Sequence, residues 1–125
     1  MEKQKVIYIA GPITGVKNYW EPFEQVEEIL TELGYIAITP TRLPKGMTTA
    51  QYMKICFAMI DAADAVVFLP GWSNSEGARL EAEYCRYTEK PAVILATSDR
   101  INGLWPKKVV SAWAEAQLKE VFGDE

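Results

Sequence analysis

The sequence predicts an α/β protein in which helices cover both faces of a parallel sheet. Four short apolar segments alternate with longer segments whose apolar residues recur every three or four positions. The apolar segments do not alternate polar with apolar residues, which is typical of parallel strands buried on both faces. The chain has 125 residues, a common length for one domain, so we predict a single domain over residues 1–125.

Proline and glycine mark the ends of the predicted strands. Gly11-Pro12 follows the first strand, Pro40 ends the second, and Pro70-Gly71 follows the third. With right-handed crossovers, we expect the flavodoxin-like strand order 2-1-3-4 in a Rossmann-like three-layer sandwich of roughly four to five strands. The predicted strands are Lys5–Ala10, Tyr35–Thr39, Ala65–Leu69 and Pro91–Ala96.

The predicted helices have recognisable starts or ends. Gly34 closes the first helix, a capping-box pattern from Thr48 to Gln51 opens the second, and Pro106 begins the last. The predicted helices are Asn18–Leu33, Thr48–Ala62, Ser75–Lys90 and Pro106–Phe122, and the predicted loops are Arg42–Met47 and Thr97–Trp105.

Charge and composition exclude several classes of function. The net charge of −4, without a cluster of Lys and Arg, argues against a nucleic acid polymer as partner. No apolar run approaches the roughly 20 residues of a membrane span, so no membrane partner is expected. Histidine is absent, which excludes Ser-His and Cys-His pairs and, with two cysteines, the usual zinc sites. No metal or organic cofactor is implied, and Cys56 and Cys85 are predicted to be buried free thiols in a reducing cytoplasm.

Glu81 is the most informative residue, because it lies on the side of its predicted helix that should meet the sheet. At roughly 100° per residue, the helix has a solvated stripe and an opposite side centred on Glu81. Removing an ionised carboxylate from water is costly, and this side has no basic residue three or four positions away. We therefore expect Glu81 to face a ligand cleft. The other residues of the predicted inward side are Gly77, Ala78, Tyr84, Cys85 and Thr88.

Two loops are expected to meet at this cleft, because the strand order reverses between the first and third strands. They are Gly11–Gly15 and Pro70–Gly77. Gly77 leaves room for a ligand at the start of a helix, where free amides favour phosphate or other anions, and Ser73–Ser75 add donors. The alternatives are that Ser75 is merely the helix cap and that Gly77 merely permits close packing of strand and helix.

Two aromatic residues are also assigned to the cleft. Tyr8 lies on the first strand, where its hydroxyl would hold Glu81 in one rotamer, although buried tyrosines usually find some partner. Trp72 follows the third strand and is placed to stack on a nucleobase, with packing or a subunit contact as the alternative.

Asp61 and Asp64 end the second helix, and for both we favour a solvated helix end over a role in the site.

Several of these segments together match a family pattern. They are Tyr8–Pro12, Asp64–Leu69, Gly71-Trp72, Ser75-x-Gly77-Ala78-x-x-Glu81 and Lys90–Val93. Over this part of the chain, the sequence resembles the nucleoside 2-deoxyribosyltransferase superfamily, and more closely a small branch of it.

The resemblance implies an enzyme that acts on N-glycosidic bonds through a glutamate nucleophile. Glu81 would attack the anomeric carbon of a deoxyribonucleoside or its 5′-monophosphate and expel the base. A second base or water would then attack from the same face, as in retaining glycosidases. Tyr8 would orient Glu81. The residues implied to line the sugar or 5′-phosphate subsite are Gly11, Pro12, Ser73, Ser75 and Gly77.

Two departures from the family pattern leave alternatives open. Gln51–Ile60 contains no acid where transferases of the family have an aspartate, and Ser75 stands where the family often has another. The favoured function is therefore a hydrolase or a transferase. The alternatives are a non-catalytic nucleotide-binding module and an interaction protein that uses its four tryptophans. The resemblance also implies a homo-oligomer, a dimer or larger, for which Trp105 and Trp113 are the candidate contacts.

Overall fold

A four-stranded parallel sheet with the order β2-β1-β3-β4 lies between two layers of helices. The computed structural model describes residues 3–97, 100 and 103–123. The predicted order 2-1-3-4 and the α/β three-layer sandwich are confirmed. The strands are β1 Val6–Ala10, β2 Ile36–Ile38, β3 Ala65–Phe68 and β4 Ala92–Ile94, and the helices are α1 Trp20–Glu32, α2 Thr49–Ala62, α3 Glu76–Thr88 and α4 Lys107–Phe122.

Each predicted strand and helix is present, and the differences are confined to the ends. The predicted loop Arg42–Met47 overlaps a short 3-10 turn, Pro40–Arg42, and a second 3-10 turn, Trp72–Asn74, precedes α3. The predicted loop Thr97–Trp105 falls partly outside the described residues.

Alternate residues of β1 point into two separate cores. Ile7 and Ile9 pack with α1 and α4 on one face of the sheet, and Tyr8 and Ala10 pack with α2 and α3 on the other. Both pairs are fully buried. The strand therefore places the Tyr8 side chain beneath the layer of helices that contains Glu81.

The sheet is fully covered only over its two central strands. All of β3 is buried, whereas Ile36 in β2 and Ile94 in β4 are 44% and 53% exposed. The prediction that the strands are buried on both faces is therefore wrong for the edge strands. By their register, both isoleucines lie on the α2/α3 face, where the two helices pack over β1 and β3 and leave the outer strands open.

The second halves of α2 and α3 are joined by an aromatic stack. The ring centroids of Phe57 and Tyr84 lie 4.4 Å apart, with an interplanar angle of 7°. The Tyr84 hydroxyl also donates a hydrogen bond of 2.6 Å to Asp61 Oδ1.

At the other end of α2 the predicted capping box is confirmed, because the side chains of Thr48 and Gln51 each accept from the other's backbone amide.

Asp64 lies at the amino-terminal end of β3, away from the carboxyl ends of the strands. Its Oδ2 accepts a hydrogen bond from the Val6 amide at 2.7 Å. Its own amide donates to the Val6 carbonyl at 2.7 Å. Asp61 and Asp64 are both exposed and support helix packing and strand pairing, which agrees with the preference against a role in the site.

Trp105 belongs to the core between α1 and α4 and is only 6% exposed. Trp113 is partly buried against the same core. The expectation that these two residues form a subunit contact is therefore wrong for Trp105, because its ring is enclosed by its own chain.

Cys56 and Cys85 are free and buried, as the sequence predicts. None of the helices in the described part of the chain combines the length and the hydropathy that a bilayer span requires.

Candidate functional site

A cleft of about 520 Å³ lies at the carboxyl ends of β1 and β3. Its walls are the turn after β1, the segment that leads into α2, α2 as far as Cys56, and α3 as far as Glu81. The two loops expected to meet here both contribute, through Gly11–Thr14 and Asn74–Gly77. The cleft therefore lies where the strand order reverses, and its volume is within the range of roughly 300–1,000 Å³ typical of small-molecule sites.

Glu81 points inward from α3 and lines this cleft. The buried residues of α3 are Ala78, Glu81 and Cys85, which share one face because they are three and four positions apart. Glu81 is 5% exposed, and its Oε2 accepts a hydrogen bond from the hydroxyl of Tyr8. This geometry matches the prediction for both residues. Thr88, which was assigned to the same side, is instead exposed, because the last turn of α3 extends beyond the packed layer.

Burial controls the ionisation of this pair. Loss of water raises the pKa of Glu81 from 4.5 to about 7, although interactions with the Tyr8 hydroxyl and the Cys56 thiol partly lower it. Burial, together with the nearby Glu81 charge, raises the pKa of Tyr8 well above its ordinary value of 10.0. Tyr8 therefore stays protonated and donates, while Glu81 is divided between acid and carboxylate near neutral pH.

Cys56 is a third polar side chain at this place in the cleft. It projects from α2 beside Tyr8 and Glu81, and burial raises its pKa to about 11, so the thiol is neutral. Its position near Glu81 depends on how α2 packs against α3, which no local sequence pattern specifies. The described residues contain no cluster of three or more His, Cys, Asp and Glu side chains suited to an ion.

The structure requires glycine at only one of the two glycine positions predicted to line the cleft, Gly11 and Gly77. A Cβ on Gly11 would lie 3.0 Å from Leu69 Cβ and 3.2 Å from Phe23 Cζ, so close packing requires glycine there. Among the described residues, a Cβ on Gly77 would meet only Met53 Sδ, at 3.6 Å, which is an ordinary contact. Close packing therefore explains Gly11 but not Gly77, and the space beside Gly77 belongs to the cleft.

Ser75 caps α3 and also lies in the wall of the cleft. Its Oγ accepts a hydrogen bond from the Ala78 amide at 3.2 Å and so caps α3. It also lines the cleft, as do Pro12 and Asn74. The cap therefore does not exclude contact with a ligand.

The structure does not bring Ser73 and Trp72 into the cleft with the other predicted residues. Ser73 is exposed, and its carbonyl accepts a hydrogen bond of 2.9 Å from Arg79. The ring of Trp72 packs against that of Phe68, with a centroid distance of 5.5 Å. For Trp72, packing is thus the alternative that the structure supports, because the turn at Gly71 directs the ring back onto the sheet.

One wall of the cleft was missed by sequence analysis. It contains Lys45 from the segment before α2, and Thr49, Tyr52 and Met53 from α2 itself. The capping box located the start of this helix, and that signal pointed to a helix end near the site. The side of α2 that faces the cleft was not predictable, because α2 is apolar on more than one side.

Comparison with known proteins relates the chain to one family whose function is not described. The model of a domain of unknown function, DUF4406, matches residues 5–94. The matched segment contains β1 to β4 and every residue of the cleft. No curated protein matches the chain.

Substitution of the two glycines should separate packing from ligand space. Gly11→Ala should lower the free energy of unfolding by roughly 1–3 kcal/mol, because the added methyl group overpacks the contact with Leu69 and Phe23. Gly77→Ala should leave it unchanged or raise it by up to about 1 kcal/mol, because alanine is the better helix former. Urea unfolding measures both changes. Equal destabilisation by the two variants would mean that Gly77 is also a packing residue.

The raised pKa of Glu81 makes its effect on stability depend on pH. The Glu81 carboxyl group holds its proton more tightly in the folded protein, where its pKa is about 7, than in the unfolded chain, where it is 4.5. The stabilisation of the folded state by this proton is therefore complete below pH 4.5 and is lost as the pH rises through about 7. The stability of Glu81→Gln relative to the parent chain should therefore increase by roughly 3 kcal/mol between pH 4.5 and a pH above neutral. Denaturant unfolding across this pH range measures the difference.

Glu83→Gln is the matched control on the exposed side of α3. Arg86 holds the pKa of Glu83 below its ordinary value, so the stabilisation from Glu83 is present at higher pH and is lost as the pH falls. The two variants should therefore show pH trends of opposite sign. A constant difference between Glu81→Gln and the parent chain would contradict the burial of an ionisable carboxyl group at this position.

Proposed function

The chain belongs to the DUF4406 family, and we propose that it is an enzyme that cleaves the N-glycosidic bond of deoxyribonucleosides or their 5′-monophosphates. Glu81 is the proposed nucleophile, and Tyr8 the residue that orients it. One observation supports this proposal above the others: a carboxylate is buried in a cleft and accepts from a tyrosine hydroxyl. The resemblance to the nucleoside 2-deoxyribosyltransferase superfamily supplies the class of substrate.

The usual structural reasons for a buried carboxylate do not apply to Glu81. It lies in the second turn of α3, too far along the helix to cap it. Among the described residues it forms no salt bridge. A carboxylate whose burial costs free energy, and which no cation compensates, is a candidate for a functional residue.

In the proposed reaction Glu81 acts as a carboxylate. One of its oxygens attacks C1′ of the sugar while the bond from C1′ to the base nitrogen breaks, and the base leaves with the bonding electrons and takes a proton from water. Water then attacks C1′ and releases its proton, and the ester bond to Glu81 breaks, which regenerates the carboxylate. Because Tyr8 donates to Oε2, we assign the attack to Oε1.

Hydrolysis is favoured over transfer to a second base. The side chains that α2 contributes to the cleft are Thr49, Tyr52, Met53 and Cys56, and none is a carboxylate. Transfer in the superfamily uses an aspartate from this helix to handle the proton on the base. Water is therefore the proposed acceptor. The same lack of an acid also favours the second candidate, a nucleotide-binding module without activity.

Release of free base tests the enzymatic proposal. The protein is incubated with a panel of deoxyribonucleosides and their 5′-monophosphates, with and without an acceptor base, and free base is measured by chromatography. Glu81→Gln should lower the rate on the order of 10⁴-fold or more, as loss of a nucleophile does in other enzymes. The rate should rise as the pH increases through about 7, because only the carboxylate form attacks.

Glu83→Gln, on the exposed side of the same helix, is the control that should retain activity. Base release that persists in Glu81→Gln would overturn the proposed nucleophile. If no substrate releases base while monophosphates still raise the melting temperature, the binding-module alternative replaces the enzyme.

We also propose that the chain is a cytoplasmic homo-oligomer. Two free buried thiols, Cys56 and Cys85, are consistent with a reducing compartment. Ala92 and Ile94 leave an exposed apolar strip on the edge strand β4, and such edges favour association between chains. Size-exclusion chromatography with light scattering should give the mass of a dimer or larger. A monomer at every concentration tested would exclude this proposal.

A further inference from the structure

The segment between β2 and α2 forms one wall of the cleft and is fixed at its start. Residues Leu43–Met47, which we call the strap, follow the 3-10 turn Pro40–Arg42. Arg42 ties this turn to α1 through a salt bridge of 2.6 Å with Glu27. The salt bridge therefore anchors the residue that directly precedes the strap to α1.

Tyr52 holds the remainder of the strap against α2. Its hydroxyl donates a hydrogen bond of 2.6 Å to the Pro44 carbonyl and accepts one of 3.4 Å from the Met47 amide. Between these residues, Gly46 has a φ of 99°, in the left-handed region that glycine tolerates. One side-chain hydroxyl thus closes the strap into a loop of fixed shape. The ring of Tyr52 itself lines the cleft.

Lys45 lies in the middle of this closed loop and lines the cleft. It is the basic side chain of the described lining, whose acidic side chains are Glu76 and Glu81. Within the described part of the chain, its ammonium group takes part in no salt bridge. The side chain is exposed, and only the backbone on either side of it is held by Tyr52. A cation at the wall of a cavity that no carboxylate neutralises is complementary to an anionic ligand.

We infer that the strap selects substrates that bear an anionic group, with Lys45 as the residue that contacts this group and Tyr52 as the residue that positions the strap. The inference rests on the proposed function for the identity of the substrate, which becomes a deoxyribonucleoside 5′-monophosphate rather than the free nucleoside. A phosphate monoester carries about 1.5 to 2 negative charges near neutral pH. Because Glu76 and Glu81 repel such a group, we place the phosphate on the strap side of the cleft rather than beside Ser75 and Gly77, where the resemblance implies it.

Binding measured without turnover tests the inference. In the Glu81→Gln background, calorimetric titration compares each deoxyribonucleoside 5′-monophosphate with its nucleoside. Lys45→Ala should weaken monophosphate binding roughly 10- to 100-fold, the range for loss of one charge-assisted hydrogen bond, and leave nucleoside binding unchanged. Lys45→Arg should retain the preference. Lys54→Ala, which removes a lysine from the exposed side of α2, is the matched control and should change neither affinity.

Tyr52→Phe separates positioning from contact, because it removes only the hydroxyl that closes the strap. It should reduce the ratio of monophosphate to nucleoside affinity, whereas general damage to the cleft would lower both affinities together. Equal effects of Lys45→Ala on the two ligands, or no preference for monophosphate in the starting protein, would overturn the inference. If the preference exists and is lost in Lys45→Ala while the parent chain releases no base, the inference stands and the proposed enzymatic function fails.

Discussion

The hydrogen bond between the Tyr8 hydroxyl and the Glu81 carboxylate is the interaction on which the arrangement of the cleft depends. It connects the central strand β1 to α3, and it gives a desolvated carboxylate a strong donor. Without the hydroxyl, Glu81 would lie among the Cys56 thiol and apolar groups, and its burial would cost more. The register that places Tyr8 opposite Val66 of β3 therefore matters as much as the acid itself, because it sets the hydroxyl beneath α3.

The same burial has opposite effects on stability and on chemistry. It makes the folded state less favourable once Glu81 ionises, and it gives the carboxyl group a pKa of about 7, so that both of its forms are populated near neutral pH. Local rules of sequence and packing are commonly broken at functional sites in this way, and the surrounding structure compensates. Here the central strands β1 and β3 are apolar apart from the Tyr8 hydroxyl. The core that they form offsets the cost of burying the Glu81 carboxylate.

The fold was predictable because its signals are local, whereas much of the cleft wall was not. Gly34 and the Thr48 capping box define helix ends within a few residues of sequence, and the period of α3 was sufficient to place Glu81 inward. The neighbours of Glu81 depend instead on the rotation of α2 about its own axis, so Cys56 was identified only as a buried thiol. Trp72 illustrates a further limit, since the left-handed turn at Gly71 decides which way its ring points.

The stack of Phe57 on Tyr84 is a close contact between α2 and α3, the two helical walls of the cleft. Phe57 directly follows Cys56, and Tyr84 lies about one turn beyond Glu81; Cys56 and Glu81 are the last residues of the two helices that line the cleft. A change in the spacing of α2 and α3 at these rings would therefore change the width of the cleft, although neither ring lines it. Drift at these two aromatic positions during evolution would alter which ligands fit, even with every lining residue unchanged.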